Sequence, residues 1–183
     1  IGTGRIGTAV ALKSKGFDMN IIYYDKNKND ILEKTLDAKR VEINNLILDS
    51  DFISLHVPLN KKTYHLIGEK ELKMMKKTAI LVNTSRGEII DEKALVKALK
   101  SKWIFAAGLD VYEKEPKIER GLKNLDNVIL TPHSASATYE TRKKMSIVAA
   151  ENMVMLHVIH KCGYPVQSKL EGDSYSISIV FND

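Results

Sequence analysis

Apolar positions along the chain recur at two periods, and the alternation between them predicts the architecture. In residues 5–15 (RIGTAVALKSK), Ile6, Val10 and Leu12 stand at near-helical spacing and Gly16 supplies a stop. Met19 to Tyr24 (MNIIYY) reads as a buried strand ending at Asp25. The alternation continues with a short helix over Glu42 to Leu48, a strand over Phe52 to His56, a helix over Glu69 to Met75 and a strand over Thr78 to Asn83. Asp91 is placed to cap a helix reaching about Lys100, in which Leu95 and Leu99 fall one turn apart on one face. Phe105 to Leu109 and Asn127 to Leu130 are two further strands. Thr138 to His160 is a long helix stopped by Gly163 and Pro165.

Short strands separated by helices imply a parallel sheet covered on both faces. Right-handed crossovers make this a doubly wound, Rossmann-like α/β fold, in which ligands bind at the carboxyl ends of the strands. Residues 167–183 (QSKLEGDSYSISIVFND) do not fit that plan. They alternate at Tyr175, Ile177 and Ile179 like an edge strand, and the plain reading is a tail without an assigned role.

Composition narrows the function. At 183 residues and 44% hydrophobic content the chain has room for one ordinary domain with a real core. Its 28 Lys+Arg against 23 Asp+Glu give a net charge of +5. The basic residues (Lys26, Lys28, Lys61, Lys62, Lys73, Lys76, Lys77, Lys143, Lys144) are scattered, which reads as a solvated surface and not as a nucleic-acid footprint. No apolar run reaches the roughly eighteen residues of a spanning helix, so no membrane partner is expected. No signal peptide is visible, and Cys162 is the single cysteine, which fits a cytoplasmic protein without an internal disulfide. No metal is expected. His157 and His160 are three apart, one short of the helical zinc-motif spacing, and His56 and His65 read as ordinary histidines.

Gly2-Thr3-Gly4-Arg5-Ile6-Gly7 is a G-x-G-x-x-G that opens a helix. Gly2 allows a tight turn, Gly4 lets the backbone approach a pyrophosphate, and Gly7 lets the helix pack close to the sheet. The helix start then offers free N–H groups and the positive end of its dipole to phosphate. Asp25 ends the next strand, eighteen residues beyond Gly7. A carboxylate there accepts hydrogen bonds from ribose hydroxyls and repels a 2′-phosphate, which favours NAD over NADP. Lys26 and Lys28 just beyond soften that preference.

Five landmarks stand in order: Gly2 to Gly7; His56-Val57-Pro58-Leu59 with Thr63; Asn83-Thr84-Ser85-Arg86-Gly87; Gly108 to Pro116 (GLDVYEKEP); and Thr131-Pro132-His133-Ser134-Ala135. Together they resemble the D-isomer-specific 2-hydroxyacid dehydrogenases, most closely the glyoxylate/hydroxypyruvate reductase branch. The resemblance implies that Gly2, Thr3, Gly4, Arg5, Ile6, Gly7, Asp25, Lys26, Val57, Pro58, Thr63, Thr84, Ser85, Arg86, Asp110 and His133 contact NAD. It also implies that Arg86, Glu115 and His133 are catalytic.

Elementary chemistry gives those residues roles of their own. The Arg86 guanidinium presents a rigid fork that suits the carboxylate of a 2-oxo acid, although a surface ion pair is the common fate of an arginine. Reducing a ketone needs a hydride on carbon and a proton on oxygen, and histidine titrates near neutrality. A carboxylate on its other ring nitrogen fixes the tautomer. Glu113 and Glu115 both stand near; the resemblance selects Glu115, before Pro116. Pro58 turns the chain after its strand, and a plain loop there stays open, as does a turn-capping role for Asp110.

The expectation is therefore an NADH-dependent reductase of glyoxylate or hydroxypyruvate, with phosphoglycerate and D-lactate dehydrogenases as alternatives in the same family. Formate dehydrogenases fit less well, since they place an amide where Glu115 stands. A dinucleotide-sensing, corepressor-like binding module and a truncated remnant are the readings from other classes. Residues 1–137 are expected to be the NAD-binding domain without its first strand, 138–166 a long helix and return segment, and 167–183 an unassigned tail. The family's substrate domain and that first strand are expected to be missing, which would expose strand edges and weaken catalysis. A homodimer is expected, with Met145, Val148, Ala149, Asn152, Leu156 and Ile159 near one face of the long helix.

Overall fold

A computed structural model describes residues 1–151, 161, 166–171 and 174–179. The chain divides into two compact units, Ile1–His133 and Ser134–Asp183.

In the first unit, helices and strands alternate as α1 (Arg5–Ser14), β1 (Ile22–Tyr23), α2 (Asp30–Leu36), β2 (Lys39–Arg40), α3 (Ile43–Asp49), β3 (Phe52–Leu55), α4 (Glu69–Met74), β4 (Ile80–Asn83), α5 (Glu92–Lys100), β5 (Ala106–Leu109) and β6 (Val128–Leu130). All strand pairings here are parallel, in the orders β1-β2 and β3-β4-β5-β6. Between the two sheets runs the start of the chain. The Ile1 nitrogen donates to Ser54 O at 2.8 Å, Ile1 O accepts from His56 N at 2.8 Å, and Gly2 N donates to Tyr24 O at 2.9 Å. A single residue thus bonds to β3 while its neighbour bonds the end of the β1 segment, and the doubly wound order is preserved. The expected strand edges beside it are bridged at this point, and Ile1 itself is buried.

The observed strands are shorter than the apolar runs, because only the residues paired in register with a neighbouring strand join the ladder. Met19 to Tyr24 reduces to Ile22–Tyr23, with Asp18 left-handed at φ 52° and Met19 exposed. Two elements have no counterpart in the hydrophobic pattern. Helix α2 (DILEKTL) is two turns long with one fully buried residue, Leu32, and is set by Asn29, whose side chain accepts from Leu32 N at 3.1 Å. Strand β2 is Lys39–Arg40, exposed throughout, so no alternation could mark it.

The main core joins Leu46 and Ile47 of α3, Leu72 of α4 and Ala94, Leu95, Ala98 and Leu99 of α5 to Ile53, Leu55, Leu81, Ala107 and Leu109 of the sheet. Each fully buried Leu or Ile contributes about 1.5–3 kcal/mol by leaving water. A smaller cluster of Tyr23, Leu32 and Ala38 packs with Ala11 and Leu12 of α1. Helix α5 starts as expected, with the Asp91 carboxylate accepting from Ala94 N at 3.0 Å.

The second unit holds α6 (Tyr139–Glu151) and an antiparallel hairpin of β7 (Val166–Glu171) and β8 (Ser174–Ile179). Thr138 caps α6, its hydroxyl accepting from Thr141 N at 3.2 Å. The alternating Tyr175, Ile177 and Ile179 fall in β8, paired with Leu170, Ser168 and Val166. The expected continuation of the helix to His160, its Asn152, Leu156, His157 and Ile159 positions, and Cys162, Gly163 and Pro165 lie outside the described residues. No described helix is long and apolar enough to cross a membrane.

Candidate active site along the carboxyl edge of the sheet

Register places the site. Leu55 pairs with Asn83, Asn83 with Leu109, and Leu109 with Leu130. The four central strands therefore end in one row, and His56, Thr84, Asp110 and Thr131 are the first residues past it. With the Gly2–Gly7 turn and Asp25 past β1, every landmark except the Glu115 loop starts on this edge directly, and that loop is the continuation of Asp110.

The glycine turn is forced by contact. Gly2 has φ +86°, and a Cβ there would stand 2.8 Å from His56 C and from Val57 Cγ1. A Cβ on Gly7 would overlap the Gly2 carbonyl oxygen. Gly4 differs: it is the extended N-cap of α1, and a Cβ on it would meet nothing within 4 Å. The first turn of α1 has no side-chain cap and no acidic residue. That start can bind a diphosphate, since its backbone donors and dipole face an open approach. Arg5 and Ile6 are exposed at this same start.

Asp25 takes three donors from the protein: Thr3 N at 2.6 Å and Thr3 Oγ1 at 3.2 Å on Oδ2, and Asn27 N at 3.0 Å on Oδ1. Burial pushes its carboxyl up, but the N–H bonds of Asn27 and Thr3 together outweigh burial and hold it below the ordinary value. It is thus ionised and aimed at the turn. Arg40, which the sequence pattern did not single out, donates to the carbonyls of Asp25 and Lys26, both at 3.1 Å. Lys26 is exposed.

Past β3, Val57 packs between the core and Gly2. The Thr63 hydroxyl donates to Pro58 O at 2.6 Å and accepts from Asn60 N at 2.8 Å, closing the Pro58–Thr63 loop on itself. Burial holds the His56 imidazole below its ordinary value.

Past β4, the buried Asn83 shapes the next loop. Its amide donates to Arg86 O at 2.8 Å and its carbonyl accepts from Ser85 N and Ser85 Oγ, each at 3.0 Å. Arg86 is exposed, with Nη1 donating to Ser85 O at 2.6 Å. Gly87 follows, and a Cβ there would overlap the backbone of Tyr112 and Glu113. The Arg86 loop is therefore seated directly on the loop that carries Glu115.

That loop meets the segment after β6. The Tyr112 hydroxyl donates to Thr131 O at 2.7 Å, and Thr131 Oγ1 donates to Asp110 Oδ1 at 2.5 Å. Glu115 Oε1 accepts from Tyr112 N at 3.0 Å, while Oε2 lies 2.8 Å from His133 Nδ1. The expected pair is formed, and Glu115 rather than Glu113 makes it. His133 holds a left-handed backbone at φ 52°, its N–H returning to Thr131 O at 3.1 Å around Pro132. Such a conformation costs on the order of 1 kcal/mol for a non-glycine residue and is typical of functional positions. The hydrogen bond from His133 is the main cause that lowers the Glu115 carboxyl, with the Arg86 charge a smaller one. An ionised Glu115 assigns the shared proton to Nδ1 and leaves Nε2 to face a reactant. Glu113 goes elsewhere: its carboxylate lies 3.5 Å from Nε2 of His65, a histidine in a loop that no spacing had marked.

Comparison with known proteins agrees with this layout. The model of the D-isomer specific 2-hydroxyacid dehydrogenase NAD binding domain matches residues 1–135. The chain belongs to that family. Among curated members, the glyoxylate reductases of Korarchaeum cryptofilum and Thermococcus litoralis are 54% and 53% identical over 155 and 154 residues. Each alignment covers 84% of this chain but 47% and 46% of the relative, so the chain spans about half the length of the curated dehydrogenases it matches. Among solved structures, a glyoxylate reductase from Paecilomyes thermophila superposes with a TM-score of 0.79 at 47% identity, covering 84% of this chain and 46% of that one. The NAD-complexed D-isomer specific 2-hydroxyacid dehydrogenase of Lactobacillus delbrueckii ssp. bulgaricus gives 0.76 at 33% identity, covering 86% and 52%.

Proposed function

We propose that this chain is the nicotinamide-binding half of a reductase that converts glyoxylate, or a 2-oxo acid of similar size such as hydroxypyruvate, to the D-2-hydroxy acid with NADH. The observation that carries this reading is the 2.8 Å contact of Glu115 with His133 beside the Arg86 loop, on the same sheet edge as the glycine turn.

The dinucleotide, when bound, supplies a hydride. The residues of this chain do the rest. The start of α1 holds the diphosphate, with Gly4 giving clearance and Gly2 and Gly7 fixing the turn. Asp25 accepts from the adenosine ribose and repels a 2′-phosphate, which favours NAD over NADP. Val57, Pro58, Thr63, Thr84, Ser85 and Asp110 line the nicotinamide side of the edge. Arg86 takes the substrate carboxylate and turns its carbonyl toward His133. As the carbonyl carbon gains hydride, the oxygen gains the proton from His133 Nε2, and Glu115 stabilises the ring while it is charged. The neutral ring then recovers a proton from water.

A calorimetric titration of the chain with NADH and NADPH tests the cofactor half of this reading. Saturable NADH binding at least tenfold tighter than NADPH is expected, and equal affinity would remove the role given to Asp25. NADH-dependent reduction of glyoxylate by the chain joined to the remaining half of such a dehydrogenase tests the reaction. Tight NADH binding without turnover of any small 2-oxo acid would leave a dinucleotide-sensing module instead.

A further inference from the structure

The segment that carries Glu115 leaves the sheet at Asp110, whose N–H donates to Asn83 O at 3.0 Å, and from Tyr112 onward its backbone is held by carboxylates. Tyr112 N donates to Glu115 Oε1 at 3.0 Å, and Glu113 N donates at 2.8 Å to Glu92 Oε1, a buried side chain of α5. Past that, a Lys117 N to Lys114 O turn closes the segment on itself. Gly87 and Thr131 fix its start at Tyr112, and the course from Glu113 to Glu115 is left to the contacts of those two side chains and of Glu92.

Each of these glutamates faces a histidine. Glu115 meets His133, and Glu113 Oε1 stands 3.5 Å from His65 Nε2. Among the described residues, His65 Nε2 is the only buried side-chain nitrogen or oxygen without a formed hydrogen bond, and the Glu113 carboxylate is the acceptor that stands 3.5 Å from it. A buried polar atom without a partner is costly, and Glu113 is the group within reach that offsets this cost. The ring is not free to swing away. Tyr64 stacks on it at 4.1 Å between centroids, and His65 has a left-handed backbone (φ 48°) whose N–H donates to Glu88 O at 2.8 Å. His65 thus belongs to the loop of Val57, Pro58 and Thr63, bonds the loop of Arg86 through its main chain, and reaches the loop of Glu115 through its side chain.

We propose that His65 and Glu113 are positioning residues for the proton donor: their pairing seats loop 110–117 so that Glu115 meets His133. This rests on the reading of His133 as the proton donor, but its test is independent of turnover. In the 183-residue chain, proton–nitrogen NMR follows the Nδ1-bound proton of His133, identified by its absence in His133→Asn. His65→Gly removes the ring at a backbone angle that glycine accepts without strain. That variant and Glu113→Ala are each expected to abolish the His133 signal and to speed exchange of the Tyr112 amide about tenfold. Amides of Leu81 and Leu109 should stay protected. His65→Gln, which keeps a donor, and Glu113→Gln, which keeps an acceptor, are expected to restore the signal. The double variant His65→Gly/Glu113→Ala should be no worse than either single change. An intact His133 signal in His65→Gly or Glu113→Ala overturns the proposal. So does a loss that neither glutamine variant rescues, because packing alone would then explain it. Failure of the functional reading shows separately, as absent NADH binding or absent turnover with the His133 signal present.

Discussion

Asp25 is nearly saturated before any nucleotide arrives. A carboxylate offers about four acceptor positions, and Thr3 N, Thr3 Oγ1 and Asn27 N take three of them. The residue that would read the ribose therefore also braces the glycine turn. Asp25→Asn is expected to weaken NADH binding about tenfold or more through both roles. It should admit NADPH only slightly, because the Arg40 guanidinium is held on the carbonyls of Asp25 and Lys26. Calorimetry with both nucleotides checks this, and a clean switch to NADPH would contradict it. The second residue-level expectation concerns the pair. Because the folded-state Glu115 carboxyl is lowered, the pairing it reports is present above the ordinary carboxylate value and is lost as pH falls through the lowered one. In His133→Asn the Glu115 carboxyl should rise back toward the ordinary carboxylate value, read from its carbonyl carbon shift. Turnover of the joined chain should fall about 10²- to 10⁴-fold. An unchanged Glu115 titration would mean that the pair does not form in solution.

At the scale of elements, α1 and α5 make a useful contrast. Gly7→Ala puts a methyl group into the Gly2 carbonyl and must push α1 off its turn. NADH binding should disappear, together with more than about 2 kcal/mol of stability. Asp91→Ala removes only the cap of α5, with an expected loss of about 1 kcal/mol and NADH affinity unchanged. If Gly7→Ala still bound NADH, the close packing of α1 against the turn would be wrong. The same elements show what the sequence could reveal. The long apolar periods of α5, β3, β4 and β5 made the core legible, and fixed motifs at strand ends marked Arg86, Asp25 and His133. Helix α2 stayed hidden because a capping Asn29 and one buried Leu32 define it, and β2 because two exposed residues carry no period. Glu113 and Glu115 were indistinguishable by chemistry, since which one meets His133 depends on the Lys114–Lys117 turn. His65 was invisible because its importance lies in contacts between three loops distant in sequence.

For the whole first unit, the parallel register separates chemistry from scaffolding. Each crossover returns to the opposite edge before the next strand begins, so Trp103, between α5 and β5, lies at the amino edge. There Lys73 and Lys97 stand 4.8 and 5.3 Å from its ring centre. Its emission should therefore report unfolding rather than direct contact with a nucleotide. With NADH at about a hundred times its dissociation constant, the Trp103 unfolding transition should shift by about 2.7 kcal/mol. Asp25→Asn should lose most of that shift, whereas a shift of equal size in the variant would place the nucleotide elsewhere.

Gly87 has a consequence for anyone redesigning this edge. Because its α-carbon rests on the Tyr112–Glu113 main chain with no room for even a methyl group, the segments bearing Arg86 and Glu115 behave as one casting. A new substrate preference grafted through residues 84–88 alone would arrive without its mating surface. The transplantable module is the two segments together.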